Sequence, residues 1–147
     1  MIKKLTLTAI IFLGVIACFE KKTFKIDVDG REYIISATNI NDSIVEGETP
    51  LIYAINSGNY DLAKFAIRNG ADVNAKDNDG DTALMWASSC GLYEFLSSSQ
   101  VEEYLEIVKY LVENGADVNA KNNYCVTALM KADSEEIKEV LRKAGAK

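Results

Sequence analysis

Histidine is missing from all 147 residues, and the chain has only one proline, one tryptophan and three cysteines. Without imidazole there is no Ser/His/Asp or Cys/His mechanism, and most catalytic zinc sites are excluded. An odd number of cysteines fits no closed disulfide framework. None is required at this size, because a chain of about 150 residues buries roughly two-thirds of its unfolded surface in its own core. Positive charge is also short, with 16 basic against 22 acidic side chains and a net charge of −6. That sign is wrong for tracking a phosphate backbone, so no nucleic-acid partner is expected. What is present, 48% apolar and 26% charged residues, describes one ordinary folded domain.

The uncharged run from Leu5 to Ala17 follows Lys3 and Lys4 and is closed by Glu20, Lys21 and Lys22. It is too short to span a hydrocarbon core, which takes about twenty helical residues, and it suits the apolar core of a secretory signal peptide over residues 1–17. A buried helix is the alternative, though the run has no polar face beyond its threonines. The end of the run, Val15-Ile16-Ala17-Cys18, resembles the lipobox of bacterial lipoproteins. That resemblance implies cleavage before Cys18, a lipid on its sulfur, and a tether over residues 18–23 that holds the protein in the bacterial cell envelope. Phe19 stands where aspartate would imply inner-membrane retention, which favours the outer membrane or its periplasmic face, with surface display as a further option. The open alternative is cleavage by a conventional peptidase that leaves Cys18 as a free thiol. Removing residues 1–17 takes away two lysines and no acid, so the charge of the remainder moves from −6 to −8.

Internal repetition decides the fold. Asn69-Gly70-Ala71-Asp72-Val73-Asn74-Ala75-Lys76 returns as Asn114-Gly115-Ala116-Asp117-Val118-Asn119-Ala120-Lys121, and begins again at Gly145-Ala146-Lys147. In step with it, Gly47-Glu48-Thr49-Pro50-Leu51-Ile52-Tyr53-Ala54 answers to Gly80-Asp81-Thr82-Ala83-Leu84-Met85-Trp86-Ala87 and to Cys125-Val126-Thr127-Ala128-Leu129-Met130-Lys131-Ala132. Over residues 41–147 the chain resembles the ankyrin repeat family, whose period is about 33 and whose signature is Thr-Pro-Leu-His-x-Ala. The fold class expected is an all-α repeat solenoid of about three helix-turn-helix repeats with β-turn fingers.

The residues support the same architecture physically. Thr49 can cap a helix that starts at Pro50, where a missing N–H costs nothing. Leu51, Ala54 and Ile55 then share a face, as do Leu62, Phe65 and Ala66 before Gly70, and Ile107, Val108, Leu111 and Val112 before Gly115. Asp133 with Glu136 reads as a capping box ahead of Ile137, Val140 and Leu141. Each helix pair is too thin to bury its stripe alone, so neighbouring pairs must stack.

Gly70 and Gly115 are 45 residues apart, twelve more than one period. The excess falls at residues 92–103, between the helices of the central repeat, with Ser99 and Glu102 as a capping box and the next helix starting near Gln100. This insertion reads either as a lengthened helical hairpin packed on itself or as a protruding apolar lip for a partner. The signature histidine is replaced by Ile52, Met85 and Met130, so bracing of turn on helix gives way to packing. Cys125 stands where the other copies have glycine, which predicts an altered third turn. Cys90 lies at the far end of its helix from the turns, so no Cys90–Cys125 disulfide is expected. Ahead of the repeats, Phe24, Ile26 and Val28 alternate with polar residues, and Asp29-Gly30 leads into Arg31-Glu32-Tyr33-Ile34-Ile35. That pattern predicts a β-hairpin over residues 24–40 that caps the first repeat, with a separate binding strand as the alternative.

No catalytic constellation emerges, and neither a cofactor nor a metal is expected. Asp72, Asp117, Asn74 and Asn119 recur with the repeat and read as turn residues. Glu102, Glu103 and Glu106 read as a solvated helix face. Neither Cys90 nor Cys125 has a thiolate-stabilising neighbour in sequence. A carboxylate hydrolase would need two facing acids, roughly 5–9.5 Å apart, in one cleft.

The family resemblance implies a protein-binding module acting through its finger tips and concave helix surface. Carried over by position, the tips are Val45, Glu46 and Glu48, then Asn78, Asp79 and Asp81, then Asn123, Tyr124 and Val126. The concave helix ends are Asn56 and Ser57, then Ser89 and Cys90. Trp86 and Tyr53, just inside their helices, are expected in the core. The function expected is a non-enzymatic, lipid-tethered adaptor or inhibitor of a partner protein with a basic patch. The alternative is a structural envelope lipoprotein that associates with itself.

Overall fold

The computed structural model describes residues 23–28, 30–44, 47–89 and 98–147, with side chains from Glu102 onward in the last segment. The expected signal peptide, the expected lipid attachment at Cys18, Val45, Glu46, Cys90 with the disulfide not expected of it, and the first part of the insertion lie outside the described residues.

Strand β1 (Phe24–Val28) pairs antiparallel with β2 (Arg31–Ile35), Phe24 opposite Ile35 and Ile26 opposite Tyr33. Alternation drops Ile26 and Ile35 into the core. Phe24 packs on Phe65 with ring centroids 5.0 Å apart, and the Tyr53 hydroxyl donates to the Asp27 carbonyl at 3.3 Å. The hairpin thus lies over both helices of the first repeat.

Six helices follow among the described residues: α1 (Pro50–Asn56), α2 (Tyr60–Arg68), α3 (Ala83–Ser89), α4 (Ser98–Glu113), α5 (Ala128–Lys131) and α6 (Glu135–Lys143). The threonine that opens each repeat does the same work three times. The hydroxyls of Thr49, Thr82 and Thr127 accept from the backbone N–H of Ile52, Met85 and Met130, each at 3.4 Å. Helices α1, α3 and α5 stack as one layer, α4 packs on α6, and Tyr104 of α4 meets Tyr60 of α2 edge-on at 5.4 Å. Leu51, Leu62, Leu84, Leu111 and Leu141 form a continuous buried spine between the layers. Ile52 and Met85, which replace the family histidine, are sealed by the next repeat at 1% and 0% exposure. Met130, in the last described pair, is 68% exposed.

Asparagine side chains tie each repeat to the next. The Asn41 amide donates to the Gly70 carbonyl at 3.2 Å while its oxygen accepts from the Asp72 N–H at 2.8 Å. Asn74 does this to Gly115 and Asp117 at 3.1 and 2.7 Å, and Asn119 to Gly145 and Lys147 at 3.1 and 3.0 Å. Reading Asn74 and Asn119 as turn residues caught their place but missed this clamp.

The fingers stack as well, which explains where glycine is needed. Gly47 and Gly80 adopt φ of 81° and 78°. A Cβ on Gly47 would stand 3.0 Å from the Asn78 backbone nitrogen, and one on Gly80 2.9 Å from that of Asn123. The third finger overturns the expectation of an altered turn. Cys125 takes up φ 62° itself, and its turn closes with Cys125 N to Asn122 O at 3.0 Å and Asn122 N to Val126 O at 3.1 Å. The second finger closes in the same way, Gly80 N to Asp77 O and Asp77 N to Asp81 O, both at 3.0 Å. Cys125 is exposed, and among the described residues no further finger packs against it, so its side chain costs backbone strain but no collision.

Two helix starts also differ from expectation. Helix α4 begins at Ser98, so Ser99 lies inside its first turn and is not a cap. In α6 the cap is Ser134, whose hydroxyl accepts from the Ile137 N–H at 3.5 Å, and not Asp133. Measured from the shared glycine, α4 is sixteen residues long against nine for α2, so part of the insertion is extra helix on the second-helix side.

Four outcomes are expected. Asn74→Ala removes one inter-repeat clamp and lowers unfolding free energy by about 1 kcal/mol in urea titrations, since an intramolecular hydrogen bond contributes roughly 0.5–1.5 kcal/mol net. Cys125→Gly relieves left-handed strain of about 1–2 kcal/mol, partly offset by glycine's greater unfolded freedom, and stabilises by about 0.5–1 kcal/mol. Gly80→Ala, which meets both the strain and Asn123, is destabilising in the same assay. Glu135, Glu136 and Glu139 are held below their ordinary value of 4.5, chiefly by hydrogen bonds from Lys138, Ser134 and Lys143 respectively. Their contribution is whole above 4.5 and is lost as pH falls through the lowered values. Melting curves of the triple Glu→Gln variant therefore lose less stability than the native chain on acidification below 4.5.

Candidate protein-binding surface

Side chains within the second and third fingers hold their backbones in place. Asp77 opens the second finger, and one of its carboxylate oxygens accepts from the N–H groups of Asp79 and Asp81 at 3.0 and 2.9 Å. Its other oxygen accepts from the Trp86 indole N–H at 2.8 Å. Asn122 braces the third finger with bonds from Tyr124 N and Val126 N at 3.0 and 2.9 Å. The two fingers are also joined. Asn123 donates its backbone N–H to the Asp79 carbonyl and its amide to the Asn78 carbonyl, both at 3.0 Å. Asp77 and Asn122 went unnoticed in the sequence, although they stand three residues before Gly80 and Cys125 at the same 45-residue spacing as the surrounding phrases.

The predicted tip residues divide by environment. Asn78, Asp79, Asn123 and Tyr124 are exposed, Tyr124 at 70%, and the Tyr124 hydroxyl lies 3.5 Å from an Asp79 carboxylate oxygen. Glu48 is half-buried and accepts from the Asn56 amide at 3.1 Å; Asn56 itself is exposed. Val126 is half-buried and committed to its turn.

Asp81 does not stand at a tip surface. It is 5% exposed, accepts from the Asn122 amide at 2.7 Å, and pairs with Lys131 of α5. A carboxylate so buried needs both partners, because breaking one side of a desolvated pair leaves an uncompensated charge. Asp81 is therefore a tie between the second and third repeats. The Lys131 ammonium also lies over the Trp86 ring, 5.6 Å from its centroid.

The helix ends divide too. Ser89 is half-buried and donates to the Trp86 carbonyl at 3.0 Å. Ser57 donates to the Tyr53 carbonyl at 2.7 Å. It lines a hollow of about 560 Å³ beside α4 with Asp61, Lys64, Glu103 and Glu106. Trp86 and Tyr53 are half-buried and pack against the edge of the core. Trp86 joins Glu48, Asn56, Asp77, Asn78 and Asp79 around a groove of about 370 Å³ between the first two fingers. Among the described residues no group of histidine, cysteine and acidic side chains is placed to hold a metal ion, and no helix is long and apolar enough to cross a membrane.

A stacked array of such fingers on paired helices is a known architecture. The chain is 38% identical over 69 residues to a fowlpox virus (strain NVSL) protein named for ankyrin repeats, and 36% identical over 62 residues to one from Acanthamoeba polyphaga mimivirus. These matches cover 47% and 42% of this chain but only 35% and 8% of those relatives. The crystal structure of the ankyrin repeat domain of Bcl-3, a member of the IkappaB protein family, superposes with a TM-score of 0.59 at 32% identity, over 70% of this chain and 40% of that one. The family model for ankyrin repeats, in three copies, matches residues 21–122, and the chain belongs to the ankyrin repeat family.

Proposed function

We propose that this chain is a non-enzymatic adaptor or inhibitor that is lipid-anchored through Cys18 in a bacterial envelope and holds a partner protein on its fingers. Ankyrin repeats are protein–protein interaction modules, and this array is braced as a binding surface needs to be. The observation that carries the reading is the exposed row Asn78, Asp79, Asn123 and Tyr124 on two fingers whose backbones are fixed by Asp77, Asn122 and cross-finger bonds. Preorganised side chains lose little entropy on binding. A tyrosine beside an aspartate offers both apolar area and charge to a basic partner surface. The lipid tether rests on the Val15-Ile16-Ala17-Cys18 phrase.

The test is a crosslinked pull-down from intact envelopes with the native chain and with an Asn78→Ala/Asp79→Ala/Tyr124→Ala variant whose folding is checked by circular dichroism. Asp81 is left intact because it holds two repeats together. One protein captured by the native chain and lost by the folded variant is expected; unchanged capture moves the surface away from the fingers, and self-crosslinks alone replace the adaptor with self-association. In the same fractions Cys18→Ser is expected to shift the protein from membrane to soluble material, and its retention in the membrane would remove the lipid anchor from the reading.

A further inference from the structure

A two-stranded sheet has two edges, and in this hairpin side chains stand on both. Val28 and Arg31 pair across two intervening residues, so that pair exchanges ladder hydrogen bonds, as do Ile26 with Tyr33 and Phe24 with Ile35 by alternation. The residues between them, Lys25, Asp27, Glu32 and Ile34, turn their backbone groups outward. On the β1 edge the Tyr53 hydroxyl donates to the Asp27 carbonyl at 3.3 Å. On the β2 edge the Asn39 amide donates to the Ile34 carbonyl at 2.9 Å, and its oxygen accepts from the Ser36 N–H at 2.7 Å.

This is the same two-point grip by which Asn41, Asn74 and Asn119 hold the following repeat, a carbonyl and the N–H two residues on. Here the grip falls within the hairpin segment and joins no repeats. Two residues on is also the spacing at which one residue of a parallel neighbouring strand bonds to an edge. The Asn39 side chain therefore stands where a third strand would lie. The Ser36 hydroxyl donates to the same Asn39 oxygen at 3.0 Å and lies 2.8 Å from the Thr38 hydroxyl, which fixes the amide in position.

The edge beneath this side chain is complementary to itself. Laid antiparallel on the β2 of a second copy, with a two-fold axis through Tyr33, it sets the N–H and C=O of Glu32 against the C=O and N–H of the other copy's Ile34. The Ile34 side chain, 52% exposed, adds apolar area beside that seam. Bare edges of this kind recruit further strands. Asn39 holds the carbonyl that such pairing needs.

We infer that Asn39 is a plug on the β2 edge, which keeps the hairpin from pairing with the hairpin of a second copy. No finger residue takes part, so the plug stands apart from the surface proposed for a partner protein.

The test follows the amides of Glu32, Ile34 and Ser36 by hydrogen exchange in the full chain, with sedimentation velocity over a range of concentrations. In the native chain the Ser36 amide is expected to be protected, those of Glu32 and Ile34 to exchange freely, and no pairing through the hairpin to occur. Asn39→Ala should lower Ser36 protection by about two- to tenfold in the monomer and give concentration-dependent dimers in which Glu32 and Ile34 become protected. Adding Ile34→Pro removes an outward N–H and no ladder bond, and should return the variant to a monomer. Should that double variant lose the hairpin, Ile34→Lys, a charge at an exposed edge position, replaces it. Asn41→Ala, which breaks a grip of the same kind between repeats, should destabilise the chain without dimers. A monomeric Asn39→Ala variant at every concentration, dimers that leave Glu32 and Ile34 unprotected, equal pairing by Asn41→Ala, or native dimers protected at Ile34 overturn the inference. If Asn39→Ala does not fold, Asn39→Ser, which also removes the amide donor to Ile34, carries the same readouts.

Discussion

Everything in this molecule depends on one repeat being held in register on the next, and asparagine side chains do much of that holding. Asn41, Asn74 and Asn119 each give an amide hydrogen to a carbonyl of the following repeat and take an N–H back two residues further on. Each bond is exposed and modest, but the geometry is two-point, so it fixes both distance and rotation. Apolar stacking alone would press the helix pairs together without choosing their register, since burial is not directional. With the clamps in place the leucine spine closes, the threonine caps align, and the fingers come to lie on one another.

Finger stacking then explains which substitutions the pattern tolerates. Glycine at 47 and 80 answers to two demands, a left-handed backbone and a neighbour's amide directly above. At 125 only the first demand applies, and cysteine meets it with strain. The methionine row behaves alike: Met85 is sealed by the repeat that follows, whereas Met130 is left in the open. Position in the stack, more than residue type, sets the environment. The same logic makes Asp81 a buried tie while Asp79, two residues earlier on the same finger, faces solvent.

How far the molecule could be read beforehand follows from the kind of interaction involved. The hairpin, the helix pairs and the capping threonines were legible because they rest on local signals: alternation, an Asp-Gly turn, a threonine three residues before the amide it caps. The binding surface was legible only as a list of positions. Glu48, Asn56 and Asp79 come together around Trp86, but Ser57, adjacent to Asn56, turns into a different hollow created by the lengthened α4. One residue of rotation in a helix is about 100°, which suffices to send neighbours to opposite faces. Trp86 reads as core from its place just inside its helix and does pack against the core, yet its indole N–H needs a partner, and Asp77 supplies one at the groove wall.

The sequence by itself determined the repeat, its period, the interrupted middle copy and the class of solenoid, because two near-verbatim phrases in register can only be stacked copies of one unit. Tertiary structure alone decided what each copy's equivalent residues do. Glu48, Asp81 and Val126 hold one repeat position, and become a groove carboxylate, an inter-repeat ion pair and a half-buried turn residue. The reason is that a repeat's chemistry depends on its neighbours on both sides. The second copy has Lys131 and Asn122 against it, the first has the hairpin and the second finger, and no local pattern within a repeat records what will be packed upon it.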